Sequence, residues 1–210
     1  MKKQCMIALF ALSASVLVAV ESENLVKNGG FEEISKIPKA SSKYYMAKIK
    51  NDKCDFGIGP IMTLPMHHTV GSGSIKLVVN VSTDEEVNPE VKEGQRSISL
   101  EAVGEGGHLQ IGADTLIPGK YNLSFYYKGS GTISVCTYCY GIDEATSKAK
   151  FLQTLVFLTI GGKDKFQYYE KVFELPNQKV NGIATFNLAF SINNNSQMTL
   201  DGLSLVKIKE

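Results

Sequence analysis

The chain has 210 residues, enough for one domain with a substantial core. Its 22 basic and 21 acidic residues nearly cancel, so no positive field draws in phosphates and nucleic acid is set aside as a partner. The three histidines, His67, His68 and His108, stand beside no nucleophile motif, and the acidic pairs are sequence neighbours whose side chains diverge in extended chain, so no enzyme is expected.

Residues 1–20 open with Met1-Lys2-Lys3 and run on as apolar chain from Cys5 to Val20. That run is shorter than the roughly 20 residues a spanning helix needs and reads as a signal peptide, with an uncleaved anchor as the alternative. Residues 22–210 then make one exported domain, secreted, periplasmic or at the cell surface, with no membrane segment once the signal is gone. Cys5 leaves with the signal. Cys136 and Cys139 are three apart in a strand-like run and so point to opposite faces; with Cys54 they read as small packing residues.

The stretch 24–33, NLVKNGGFEE, reads as a short strand at 25–27 entering a tight turn, because two central glycines disfavour a helix by about 1 kcal/mol each. Period-two alternation then places strands at 44–49, 74–81, 97–103, 108–111, 121–128, 132–141, 152–160, 167–175, 184–192 and 199–208. Between them lie turn signals such as VGSGS, IPGK, KGSG, GGKD, LPNQ and NNNS, and residues 82–95 form an acidic surface loop. Short strands, polar turns and no helix imply an all-β antiparallel sandwich or jelly roll.

Alternation also assigns faces. Leu123, Phe125 and Tyr127 turn inward, so Asn122, Ser124, Tyr126 and Lys128 turn outward. Ile133 and Val135 are core, while Ser134, Tyr138 and Tyr140 are outward. Phe186, Leu188, Phe190 and Ile192 are core, opposite Asn187. The run 152–160 is apolar throughout and reads as a central strand.

Asp201 breaks the pattern, because parity puts it on the inward face with Leu203 and Leu205. A carboxylate on a core face costs several kcal/mol unless paired, and calcium is the default partner for an all-oxygen site in an exported protein. The alternative is strand curvature or a bulge at Gly202 that turns Asp201 out to solvent. One ion held by Glu32 and Asp201, with carbonyls of the glycine turn, would fasten the first and last strands together.

Taken together, NLVKNGGFEE, GSGSIKLVV, LIPGKYNLSFYYKGSG, FQYYEKVFELP and MTLDGLSLVKI resemble the sequence frame of carbohydrate-binding modules of families four, nine and twenty-two, within the galactose-binding-domain-like jelly rolls. The resemblance spans residues 24–208. It implies a jelly roll with a structural calcium ion, carries over Glu32 and Asp201 as ligands, and suggests backbone ligands near Asn28 and around 69–71. It also implies a polysaccharide or glycan as partner. The chain departs from the frame in having no tryptophan to stack on sugars, and Phe166, Tyr168 and Tyr169 stand where a Trp often opens a strand. The residue types for sugar binding are supplied instead by Tyr126, Tyr138, Tyr140, Asn122 and Asn187, provided that their strands are neighbours in one sheet. The alternative is a surface module of the same fold that binds a protein partner.

Overall fold

The computed structural model describes residues 23–38, 61–113, 116–143, 145–177 and 185–209. The expected signal peptide, the strand expected at 44–49 and Cys54 lie outside them. Among the described residues ten strands form and no helix does: β1 (Ile34–Pro38), β2 (Ile61–Pro65), β3 (Thr69–Val81), β4 (Arg96–Gln110), β5 (Gly119–Ser130), β6 (Thr132–Asp143), β7 (Lys148–Gly161), β8 (Gln167–Leu175), β9 (Thr185–Asn193) and β10 (Gln197–Lys207).

β1 and β2 pair only with each other, and the remaining strands hydrogen-bond in the order β7-β6-β9-β4-β10-β5-β8, with β3 on β4. β4 belongs to both layers of a sandwich. Residues 98–101 pair with β10 and residues 106–110 with β9, while β3 runs alongside nearly the whole strand. The front layer is therefore β3-β4-β10-β5-β8 and the back layer β4-β9-β6-β7. Except for the β6–β7 hairpin, successive strands from β4 onward alternate between layers, which is the topology of a jelly roll. The expected strands at 97–103 and 108–111 are one strand, and its glycines mark a change of layer rather than an end. Gly106, at φ +90°, has no room for a side chain, because a Cβ there would lie 2.2 Å from the Ile192 carbonyl oxygen.

The layers close on side chains that alternation turns inward. Phe125 of β5 meets Phe190 of β9 edge-on at 5.0 Å, and Phe157 of β7 stacks on Phe173 of β8 at 4.3 Å. Leu100, Leu123, Val135, Leu188 and Leu205 are buried between them, each stabilising the fold by about 1.5–3 kcal/mol. Cys136 and Cys139 are buried free thiols; parity puts them on opposite faces of β6, as expected, and burial pushes both thiols upward in pKa.

β7 corrects the reading of 152–160 as a central strand, since it is the edge of the back layer. An apolar run does not distinguish burial on two faces from exposure on one. The register slips at Leu152 and Phe157, so no single parity holds along the strand. Phe157 packs against the core, while Phe151, Leu152 and Val156 remain exposed.

Candidate functional site

The register collects one set of side chains on the outer face of the back layer. Tyr138 of β6 lies between Asn187 of β9 and Thr154 of β7, and Tyr140 lies opposite Phe151. His108 of β4 is opposite Ser191, which is opposite Ser134. The rings form a connected row: His108 to Tyr138 at 4.6 Å, Tyr138 to Phe151 at 6.3 Å and Phe151 to Tyr140 at 5.8 Å. Phe151 is half exposed and Val156, beside Cys136, is 60% exposed. Gln110, Asn187 and the hydrogen-bonded Ser134–Thr159 hydroxyl pair (2.7 Å) supply polar groups around the rings.

Burial, followed by the neighbouring Cys136 thiol, pushes the Tyr138 phenol upward in pKa, so it stays protonated at neutral pH and keeps a donor. Of the described residues that register places on this face, none is Asp, Glu, Lys or Arg. The surface can therefore stack and hydrogen-bond a flat ligand, and it offers no carboxylate pair for acid–base chemistry.

Three of the five expected ligand residues, Tyr138, Tyr140 and Asn187, meet here. The other two do not join them. Tyr126 and Asn122 lie on the outer face of the front layer, across the sandwich. Tyr126 sits beside Tyr168 at 5.2 Å with Lys92 Nζ 5.6 Å from its ring centre, and its hydrogen bond with Glu93 raises its pKa. The Asn122 amide donates to Glu170 Oε1 at 2.5 Å, beside a cavity of about 550 Å³ bordered by Val172, Val206 and Lys207. His108 and Phe151 were missed by the sequence reading. Both belong to the aromatic row.

The expected metal residues have other partners. By alternation Asp201 belongs with Leu203 and Leu205, yet a bulge between Asp201 and Ser204, at left-handed Gly202 (φ +56°), reverses the parity. Asp201 faces outward opposite Tyr126, and it is nonetheless fully buried because residues 89–96 cross over it. Its Oδ2 accepts from the Lys92 and Glu93 amides at 2.8 and 2.9 Å, and Oδ1 from the Gly202 amide at 2.7 Å. Burial moves its pKa upward against the pull of those amides. Glu32 Oε1 accepts from the Gln95 and Arg96 amides at 2.8 and 3.1 Å, with Arg96 Nη1 3.5 Å from Oε2.

Asn28 is a turn residue with φ +52°. Its amide donates to the Glu33 and Met66 carbonyls and accepts from the Glu33 amide. Its carbonyl accepts from the Phe31 amide and from His68, and the Gly29 carbonyl accepts from Leu203. Thr69 and Val70 are paired in β3.

These groups do not fit a calcium ion, which needs six to eight oxygens. A carboxylate has about four acceptor sites; three N–H groups already occupy three of those of Asp201, and two amides and a guanidinium crowd Glu32. Among the described residues no group of three His, Cys, Asp or Glu is placed to hold a metal.

No protein-family model and no curated protein matches the chain. Solved structures do resemble it in shape. One is the CBM22-1 xylan-binding domain from Paenibacillus barcinonensis Xyn10C, with 14% identity and a TM-score of 0.44 over 68% of this chain and 86% of that one. Another is a family 11 carbohydrate-binding module from Clostridium thermocellum in complex with a mixed-linked tetrasaccharide, with 12% identity and a TM-score of 0.45 over 69% and 91%. A third is the enzymatically active domain of bacteriophage CBA120 tailspike protein 4, with 12% identity and a TM-score of 0.46 over 88% of this chain. This chain spans about a fifth of the tailspike domain.

Proposed function

We propose that the chain is a non-catalytic carbohydrate-binding module whose site is the outer face of the back layer. The observation that carries this reading is the ring row His108–Tyr138–Phe151–Tyr140 on a face without ionic side chains. Sugar rings present apolar C–H faces that lie on aromatic rings, while amides and hydroxyls such as those of Asn187, Gln110 and Thr154 meet the ring substituents. Export by residues 1–20 fits such a role and is tested by sequencing the N-terminus of the protein recovered outside the cytoplasm.

The purified protein is expected to be retarded in native gels containing an insoluble or soluble polysaccharide that it recognises. Tyr138→Ala with Tyr140→Ala should weaken that retention by about tenfold or more, since stacked rings contribute about 0.5–1.5 kcal/mol each beyond their buried area. Phe151→Ala, at an exposed position that does not threaten the fold, should weaken it several-fold. Retention unchanged in both variants would place the binding elsewhere.

A protein-binding role is the second reading, favoured by Phe151, Leu152 and Val156 lying exposed on an edge strand. No retention by any glycan of a broad panel, together with loss of a protein partner in Phe151→Ala, would select it.

A further inference from the structure

We infer that main-chain amides of residues 92–96, rather than a divalent cation, bind the two carboxylates that the sequence pattern assigns to a metal, and that this strap joins the two ends of the chain. Glu32 comes from the turn that follows residue 24, and Asp201 from the last strand. Both meet the same short segment, at Gln95 and Arg96 for Glu32 and at Lys92 and Glu93 for Asp201. Gly94 lies between the two anchor points at φ +60°, and a Cβ there would stand 2.1 Å from Glu32 Oε1. The left-handed glycine lets successive amides turn toward two different carboxylates.

The strap is held at a third point. Glu90 accepts from Lys128 Nζ at 2.6 Å and from the Thr199 hydroxyl at 2.8 Å, and Lys128 also reaches the Pro89 carbonyl at 2.7 Å. The Ser97 hydroxyl donates to the Glu90 carbonyl at 2.5 Å. The chain ends are further joined by direct bonds: Leu25 N–H to the Leu205 carbonyl at 2.8 Å, Leu203 N–H to Gly29 at 2.9 Å, and the Asn24 side chain to Leu203 and Leu205. In the glycine turn the Asn28 and Gly29 carbonyls already accept hydrogens. Arg96 beside Glu32 adds a fixed positive charge where a cation would need to sit.

The experiment uses the full chain, stripped with chelator and then measured with and without millimolar calcium. The melting temperature should be the same in both, and hydrogen exchange should show the amides of Lys92, Glu93, Gln95 and Arg96 protected in chelator. Asp201→Asn should speed exchange at Lys92 and Glu93 by about tenfold or more, the factor associated with a charge-assisted hydrogen bond. Arg96→Gln should lower the melting temperature equally in both conditions, whereas an ion-held site would keep or gain its response to calcium when the competing guanidinium is removed. Calcium raising the wild-type melting temperature by several degrees, or bringing protection to amides that exchange freely in chelator, would overturn the inference. The wild-type comparison decides even if a variant fails to fold. Glycan retention is read from the opposite face, so its failure leaves this result untouched.

Discussion

His68 is an imidazole that the fold keeps neutral. It is buried against Phe31, and its Nδ1 accepts from the Gly112 amide at 3.2 Å, so the ring proton is on Nε2 and donates to the Asn28 carbonyl at 3.2 Å. A second proton would break the Gly112 bond and bury a charge. Burial above all, opposed by the Asn28 bond, lowers the pKa to about 4. The unfolded chain takes up that proton near pH 6.5. This share of the stability is therefore complete above about pH 6.5, falls on acidification toward pH 4, and amounts to at most about 3 kcal/mol. Melting temperature measured from pH 7 to 5 should fall more steeply in the wild type than in His68→Gln. His67→Gln, at an exposed ring 3.8 Å from Glu33, is measured beside it for comparison with the wild-type slope. A His68→Gln variant with that same slope would assign the loss to another group.

At the scale of elements, the bulge in β10 decides what Asp201 does. Gly202 is left-handed, and a Cβ there would stand 2.7 Å from Glu93 Oε2 and 3.1 Å from the Tyr126 ring. Gly202→Ala should therefore cost about 1–3 kcal/mol of stability in urea unfolding, through backbone strain and displacement of Glu93. An unchanged midpoint would mean that the bulge relaxes without effect on the strap. This bulge is the alternative that the sequence offers at Gly202 without deciding it. Nine of the expected strands fall on β3 to β10, two of them on β4, because alternation is a local signal set by burial of one face. A single extra residue reverses parity, and nothing in LDGLSL beyond its glycine announces it. β1 and β2 were missed because they pair only with each other and alternate little. The candidate site was half legible for a related reason. Alternation separates outward from inward, so Tyr126 and Tyr138 looked alike; which layer each faces out from depends on the strand order, which is a property of the whole sandwich. His108 and Phe151 were hidden by a glycine-marked change of layer and by register slips in an apolar strand.

The whole molecule keeps its two polar surfaces apart. The front face carries the strap, anchored by Glu32, Glu90 and Asp201, and the back face carries the ring row, with the Phe125–Phe190 core between them. Among the described residues none of one surface contributes to the other, so changes should separate. Glu90→Gln removes the charge that Lys128 and Thr199 bind; although burial alone would raise the Glu90 pKa, those partners hold it below the usual carboxylate value. Its contribution is present above the unfolded carboxylate value near pH 4.3 and is lost as pH falls through the lower folded value. Because the pair is partly exposed, the variant should lose only about 1 kcal/mol at neutral pH, measured by urea unfolding, while its glycan affinity per folded molecule stays at the wild-type value. Phe151→Ala should do the reverse, weakening retention with little loss of stability, since the ring is already half in solvent. A strap variant that weakened glycan retention without unfolding would show that the two faces are coupled through the core, and would move the proposed site toward the front layer.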